Sequence, residues 1–315
     1  MRASSSPSDA AAAEATAASG ARRRTTASWK RKAERGSPWL IHLIAWLARV
    51  VGRPACRCLL YPIVLYFLLT DATARRASRQ FLGAAYARPA TLRDAFAHLY
   101  CFAATLLDRV YMASGDFSRF EVTVSGEELV RDAIASGKGC VLLGSHLGSF
   151  DLMTLTNKVL YNRPVTVLMH LDDRARVRRI AGIDDSKTAI IPLGRFDSYL
   201  RAYDALVRGD VVVALADRVE GTAALRSHFF GRPAPFPVGP HALAARAGVK
   251  VLFGFGLYEG GRKYRIEFVD CGAAVPVHCR AALQPGVDRY AAVLEDYARR
   301  YPKNWFNFFA FWDQG

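Results

Sequence analysis

Apolar and polar positions change their spacing three times along the chain. Residues 1–36 show no hydrophobic period and are read as a disordered tail. Two uncharged runs follow, Trp39–Ala48 and Leu59–Thr70, separated by Arg49, Arg53 and Arg57. Each run is shorter than the roughly 18–20 residues that a spanning helix needs. Arginines four apart fall on one side of a helix, a pattern expected of a segment or hairpin lying among lipid headgroups. A pair of helices buried against the domain and a tilted spanning helix are the alternative readings. Pro54 and Pro62 are expected to bend that segment into two pieces. From Thr91 to Ser114, Phe96, Leu99, Phe102, Leu106, Val110 and Met112 recur at mostly helical spacing, predicting an amphipathic helix.

Beyond Glu127 the period alternates. A helix is predicted over Glu127–Ala135, closed by Gly137-Lys138-Gly139, and Cys140–Gly144 reads as a buried strand. Further strands are predicted at Val165–Met169, Ala189–Pro192, Val211–Leu215, Val251–Leu257 and Tyr264–Val269. Helical patterns fall at Asp197–Arg208, Pro240–Ala247 and Val287–Tyr301. This alternation predicts an α/β fold, a central mixed sheet flanked by helices, preceded by a membrane-associated helical segment. Three regions result: a basic tail to residue 37, a helical region over 38–115 and a catalytic domain over 116–315.

Composition narrows the class. The net charge of +15 over 315 residues gives a basic surface suited to anionic lipid, an acidic protein or nucleic acid. The basic triplets at Arg22-Arg23-Arg24 and Lys30-Arg31-Lys32 are too unspecific to choose, and no recognition motif supports nucleic acid. Six cysteines lack paired spacing and are expected to be reduced thiols; no metal or redox cofactor is indicated.

The candidate chemistry lies in Gly139-Cys-Val-Leu-Leu-Gly-Ser-His146-Leu-Gly-Ser-Phe-Asp151. His146 falls just beyond a strand's carboxyl end, where ligands of α/β sheets gather. In one continuous helix, residues five apart point away from each other. With His146 in a turn and Asp151 in the first helical turn, the carboxylate can hold one ring nitrogen and leave the other as a general base. Free amides at the helix start are expected to stabilise developing negative charge. The spacing alone arises readily by chance among seven histidines and 28 acidic residues; the buried strand and Gly-Ser turn give it weight. Gly144-Ser-His-Leu-Gly148 is not an esterase elbow, because histidine stands where the nucleophilic serine would be. Arg195 and Arg218, near predicted strand ends, are candidates for gripping an anionic group. Asp217 either orients Arg218 or caps the next turn. Arg246, in a predicted helix, is read as a surface residue.

The segment His146-Leu-Gly-Ser-Phe-Asp151 resembles the HxxxxD/E signature of the glycerolipid and lipid A acyltransferases. Leu206-Val-Arg-Gly-Asp-Val-Val-Val-Ala-Leu-Ala-Asp217-Arg218, Phe229-Phe-Gly231 and Pro237-Val-Gly-Pro-His-Ala-Leu-Ala-Ala-Arg-Ala-Gly248 are similar to stretches of the late lipid A branch. Tyr301-Pro-Lys-Asn-Trp305-Phe matches its Pro-aromatic C-terminal segment. The likeness runs over residues 38–315. It departs in carrying Asp151 for the usual Glu, and Asp217-Arg218-Val-Glu-Gly for Pro-Asp-Gln/His, so the chain looks like a divergent branch. The resemblance implies acyl transfer from acyl carrier protein or a CoA thioester to a hydroxyl of a lipid or glycolipid at the cytoplasmic face of the inner membrane. It assigns His146 as base oriented by Asp151; Arg195, Asp217 and Arg218 stay candidate substrate-binding residues on their places near predicted strand ends. The competing expectation is an inactive membrane-surface module that binds lipid or acyl carrier. The loop around Phe229, Phe230 and Phe236 is expected to line an acyl channel or join the core. Trp305–Trp312 is too apolar for a free tail, and is expected to pack as a last element or sit at the membrane interface.

Overall fold

The computed structural model describes residues 52–113, 117–149, 152, 165–170, 188–219, 223–273 and 279–313. The chain divides into Met1–Gly52, of which Gly52 alone is described, and Arg53–Gly315. The basic tail, the run Trp39–Ala48, Arg49 and Asp151 lie outside the described residues.

Seven strands form one sheet in the order β1-β9-β8-β2-β5-β3-β4. They are β1 (Glu121–Ser125), β2 (Cys140–Gly144), β3 (Val165–His170), β4 (Thr188–Leu193), β5 (Val211–Leu215), β8 (Lys250–Gly260) and β9 (Lys263–Ala273). The hairpin of β8 with β9 is antiparallel and every other pairing is parallel, so the sheet is mixed. All of β2 is buried; because its side chains alternate between faces, both faces are covered. On one face Val251, Val141 and Val212 sit in register, as do Phe253, Leu143, Ala214 and Leu168. They share a core with α5 (Ser198–Val207), α6 (Gly239–Ala247) and α7 (Gln284–Arg300). Val130 and Ala133 of α4 (Glu127–Ala135) are also buried, and α4 packs on β2, β8 and β9.

A two-stranded hairpin, β6 (Ala224–Phe229) with β7 (Arg232–Pro237), departs from the expected aromatic loop. Pro233, Pro235 and Pro237 alternate along β7; lacking N–H groups, they suit a strand paired on one side only. Phe229 and Phe236 are wholly buried in the core. Of the two expectations for these rings, the structure shows core burial.

Among the described residues three helices precede the sheet: α1 (Arg53–Thr70), α2 (Ala72–Tyr86) and α3 (Leu92–Ala113). The Asp71 carboxylate starts α2 by accepting from the amides of Thr73 at 3.0 Å and Ala74 at 3.1 Å. α1 overturns two expectations. It is one helix of 18 residues that contains Pro62, with Pro54 in its first turn, where no intrahelical N–H is needed. Its arginines turn inward. Arg53 forms two hydrogen bonds to the wholly buried Asp108, at 2.7 and 2.8 Å, and Arg57 lies 3.6 Å from the same carboxylate. Tyr264 of β9 donates to Asp108 at 2.8 Å. A carboxylate buried without a counter-charge would be costly, so with Asp108 inside the fold the guanidinium groups are needed there as its partners.

The apolar face of α1 is consequently divided. Cys56, Leu60, Val64 and Leu68, one per turn, are buried, the last two against Ala95 and Leu99 of α3. Leu59, Tyr61, Ile63, Leu65, Tyr66, Phe67 and Leu69 face outward, Leu69 being 68% exposed. Among the described residues, α1 is the one helix that by length and composition is able to cross a membrane.

Candidate active site

Two strand ends create the site. β2 and β5 are parallel, with Gly144 opposite Leu215. Two residues past each lie His146 and Asp217, which the shared register brings side by side. The Asp217 Oδ1 is 2.8 Å from His146 Nδ1, and Oδ2 accepts the His146 backbone N–H at 3.0 Å. Asp217 is fully buried, while the His146 side chain keeps 27% of its surface exposed. Burial alone would push the Asp217 carboxyl up. The ring and amide of His146, with the Arg218 guanidinium, outweigh it and hold the acid below the usual carboxylate range. An ionised carboxylate has no hydrogen to give, so Nδ1 carries the proton and Nε2 keeps its lone pair.

The C-terminal segment completes the carboxylate's surroundings. Trp305 Nε1 donates to Asp217 Oδ2 at 3.3 Å and Asn307 Nδ2 to the same oxygen at 3.0 Å. Asn307 Oδ1 accepts from Arg218 Nε at 2.6 Å, and Arg218 also donates to the Phe306 carbonyl at 3.0 Å. The guanidinium lies 5.3 Å from the centre of the Phe309 ring. Trp305 is wholly buried among Phe81, Phe229 and Phe311, with ring centres 4.6 to 5.1 Å away. Of the two expectations for this aromatic stretch, Trp305, Phe306, Phe311 and Trp312 pack inside the fold.

The loop bearing His146 is held on both sides. Phe306 N–H donates to the His146 carbonyl at 2.8 Å and Gly148 N–H to the Asn304 carbonyl at 2.7 Å; Ser149 N–H donates to Gly256 O of β8 at 2.6 Å. Gly148 has φ +77°, and a Cβ there would overlap the Gly256 carbonyl oxygen. The amide of Leu147 donates to Ser145 Oγ at 3.3 Å. All four amides from His146 to Ser149 therefore have internal acceptors, and the amides of residues 150 and 151, at the expected helix start, lie outside the described residues. The Ser149 carbonyl accepts from Leu152 N–H at 3.2 Å.

Behind the loop, the buried His98 of α3 contacts the Trp305 carbonyl through Nε2 at 3.0 Å and Ser78 Oγ through Nδ1 at 2.9 Å. A carbonyl only accepts, so Nε2 bears the hydrogen and Nδ1 accepts from the serine.

The predicted residues are thus distributed unequally. His146, Asp217 and Arg218 converge. The part expected of Asp217, orienting Arg218 or capping a turn, gives way to holding His146. Arg195 sits in the exposed turn after β4, paired with Asp197 at 3.3 Å. Arg246 is exposed on α6. Trp305 and Asn307 were not singled out as polar site groups. Their signal was present only as a dense aromatic segment interrupted by one asparagine. Among the described residues no three His, Cys, Asp or Glu side chains gather into a metal-holding group.

A family model described as bacterial lipid A biosynthesis acyltransferase matches residues 33–312. No curated protein matches the chain.

Proposed function

This chain belongs to the bacterial lipid A biosynthesis acyltransferase family, and we propose that it moves an acyl chain from an acyl carrier protein or CoA thioester to a hydroxyl of a lipid or glycolipid, with His146 as general base. The observation that carries the reading is the paired contact of Asp217 with the ring and amide of His146. It fixes the tautomer a base requires and leaves Nε2 as the basic nitrogen of a side chain that keeps 27% of its surface exposed.

In the proposed step, Nε2 takes the acceptor's hydroxyl proton as that oxygen bonds to the thioester carbonyl carbon. The carbon–sulfur bond then breaks, and the thiolate leaves with the proton returned from the imidazolium. Asp217 offsets the ring's transient positive charge through Nδ1, the part an aspartate plays toward histidine in serine hydrolases. No covalent enzyme intermediate is needed. With Nδ1 engaged by Asp217, the part proposed for Asp151 is electrostatic: a second negative charge favouring the imidazolium. Arg195, exposed beside its strand end, is the proposed grip for an anionic group of substrate, and Arg218 steadies the charge of Asp217. The exposed face of α1 and the net positive charge support work at an anionic membrane surface, proposed as the cytoplasmic face of the inner membrane.

The test supplies radiolabelled acyl carrier protein and CoA thioesters, with a total membrane lipid extract, to detergent-purified wild type and His146→Ala. Labelled lipid from the wild type alone is the expected result, and its mass identifies the acceptor. Equal labelling by both proteins rejects His146 as base. Binding of lipid or carrier without turnover by the folded wild type favours a binding module.

A further inference from the structure

Asn307 occupies a position that no lone donor or acceptor could fill. It is 1% exposed, and its amide stands between two charged neighbours in sequence, Asp217 and Arg218. Its Nδ2 meets the carboxylate and its Oδ1 meets the guanidinium. The flipped amide would set oxygen against carboxylate and nitrogen against guanidinium, so a single orientation is allowed. Adjacent opposite charges would otherwise be drawn into direct contact. Asn307 gives each a neutral partner, leaving Asp217 Oδ1 directed at His146 Nδ1. Among the described residues the titratable groups acting on Asp217 are His146 from the loop after β2, Arg218 from its own loop and Tyr290 from α7.

We propose that Asn307 is a positioning residue, whose amide keeps Arg218 off Asp217 and so preserves the Asp217–His146 contact. The inference rests on the reading of His146 as the base. It assigns a role in the reaction to a residue 90 positions beyond Asp217, on a different segment.

Histidine-labelled full-length protein in detergent micelles tests this by nitrogen NMR, with the His146 signals assigned through His146→Gln. In wild type the neutral ring is the Nδ1–H tautomer. In Asn307→Ala, Arg218 captures the carboxylate. The Nε2–H tautomer becomes populated, because Nδ1 loses the acceptor that held its hydrogen. Transfer assays should show kcat reduced about tenfold or more with KM changed less than about threefold. Adding Arg218→Gln to Asn307→Ala removes the competitor and moves the tautomer back toward wild type. Should Asn307→Ala not fold, the smaller change Asn307→Ser carries the same readouts. A folded Asn307 variant with an unaltered tautomer overturns the proposal, whatever its activity. A shifted tautomer in a protein whose wild type transfers nothing supports the positioning role while removing the acyl-transfer reading.

Discussion

Asp217 grips His146 at two points, ring Nδ1 at 2.8 Å and backbone N–H at 3.0 Å, from a strand 71 residues away in sequence. The amide contact fixes where the residue stands and the ring contact fixes which nitrogen is basic. Asp217→Asn keeps the shape but removes the charge, and can present an N–H to a nitrogen that needs an acceptor. We expect kcat to fall by about 10³- to 10⁴-fold with KM little altered. Steady-state kinetics on a variant with a wild-type melting curve would decide; a loss under about tenfold would argue against the assigned role.

Gly148→Ala and Gly137→Ala separate crowding from backbone conformation. Both glycines have positive φ, +77° and +75°, but a Cβ at 148 overlaps Gly256 O whereas one at 137 meets nothing within 4 Å. Gly137→Ala should cost about 1 kcal/mol. Gly148→Ala should cost about 3 kcal/mol or more and displace the His146 loop. Denaturant unfolding of the two variants, giving similar losses, would contradict this.

The pH dependence of stability has a definite sign. Burial pushes His98 and His241 down to about 4, the Trp305 carbonyl only partly countering it for His98. Histidine in the unfolded chain titrates near about 6.5, so between these values the unfolded state binds the extra protons. Stability is therefore full above about pH 6.5 and falls as the pH drops toward 4, by on the order of 3 kcal/mol for each ring. Urea midpoints measured at about pH 7.5 and 5 should differ accordingly, and His241→Phe should flatten part of that slope. Equal midpoints would show that neither ring is held neutral.

Asp108 and Glu127 offer a contrast between buried and exposed ion pairs. Asp108→Ala strands the Arg53 guanidinium inside the fold and removes the Tyr264 partner, with an expected cost of about 3–5 kcal/mol. Glu127→Ala breaks an exposed pair with Arg131 and should cost under about 0.5 kcal/mol. Melting curves that rank the two the other way would refute the assignment of Asp108 as the anchor of α1.

Membrane affinity should reside on the outer face of α1. Replacing Leu65, Tyr66 and Leu69 together by serine removes apolar surface that makes no core. Partition onto vesicles containing anionic lipid should weaken at least about tenfold with the melting curve retained. Unchanged partition would move the contact elsewhere on the chain.

Much of the sheet was readable because its strands are continuous apolar runs: β2, β5 and α4 fall where the pattern put them. β1, with only five alternating residues, and α2, whose apolar stripe is mostly alanine, gave weak periods. β7 was hidden by its prolines, which ordinarily argue against a strand. The arginines of α1 misled because periodicity gives a face but not what lies opposite it, and Asp108 is 55 residues from Arg53. The site was half legible. His146 announced itself by a turn after a strand. Its tie to Asp217 depends on the register of β2 with β5, which no local pattern encodes. A usable signal existed: two five-residue apolar strands, each followed two places later by a titratable side chain.

The aromatic segment that lies over the His146 loop has a consequence for biogenesis. Translation delivers His146 and Asp217 to the folding chain well before Trp305 and Asn307 exist. Until that last stretch emerges, the buried aspartate lacks two of its donors and the loop lacks the backbone partners at Asn304 and Phe306. The proposed base and its carboxylate are therefore fully braced only once residues 304–307 have been made and folded over the His146 loop, long after the outward apolar face of α1 has been made.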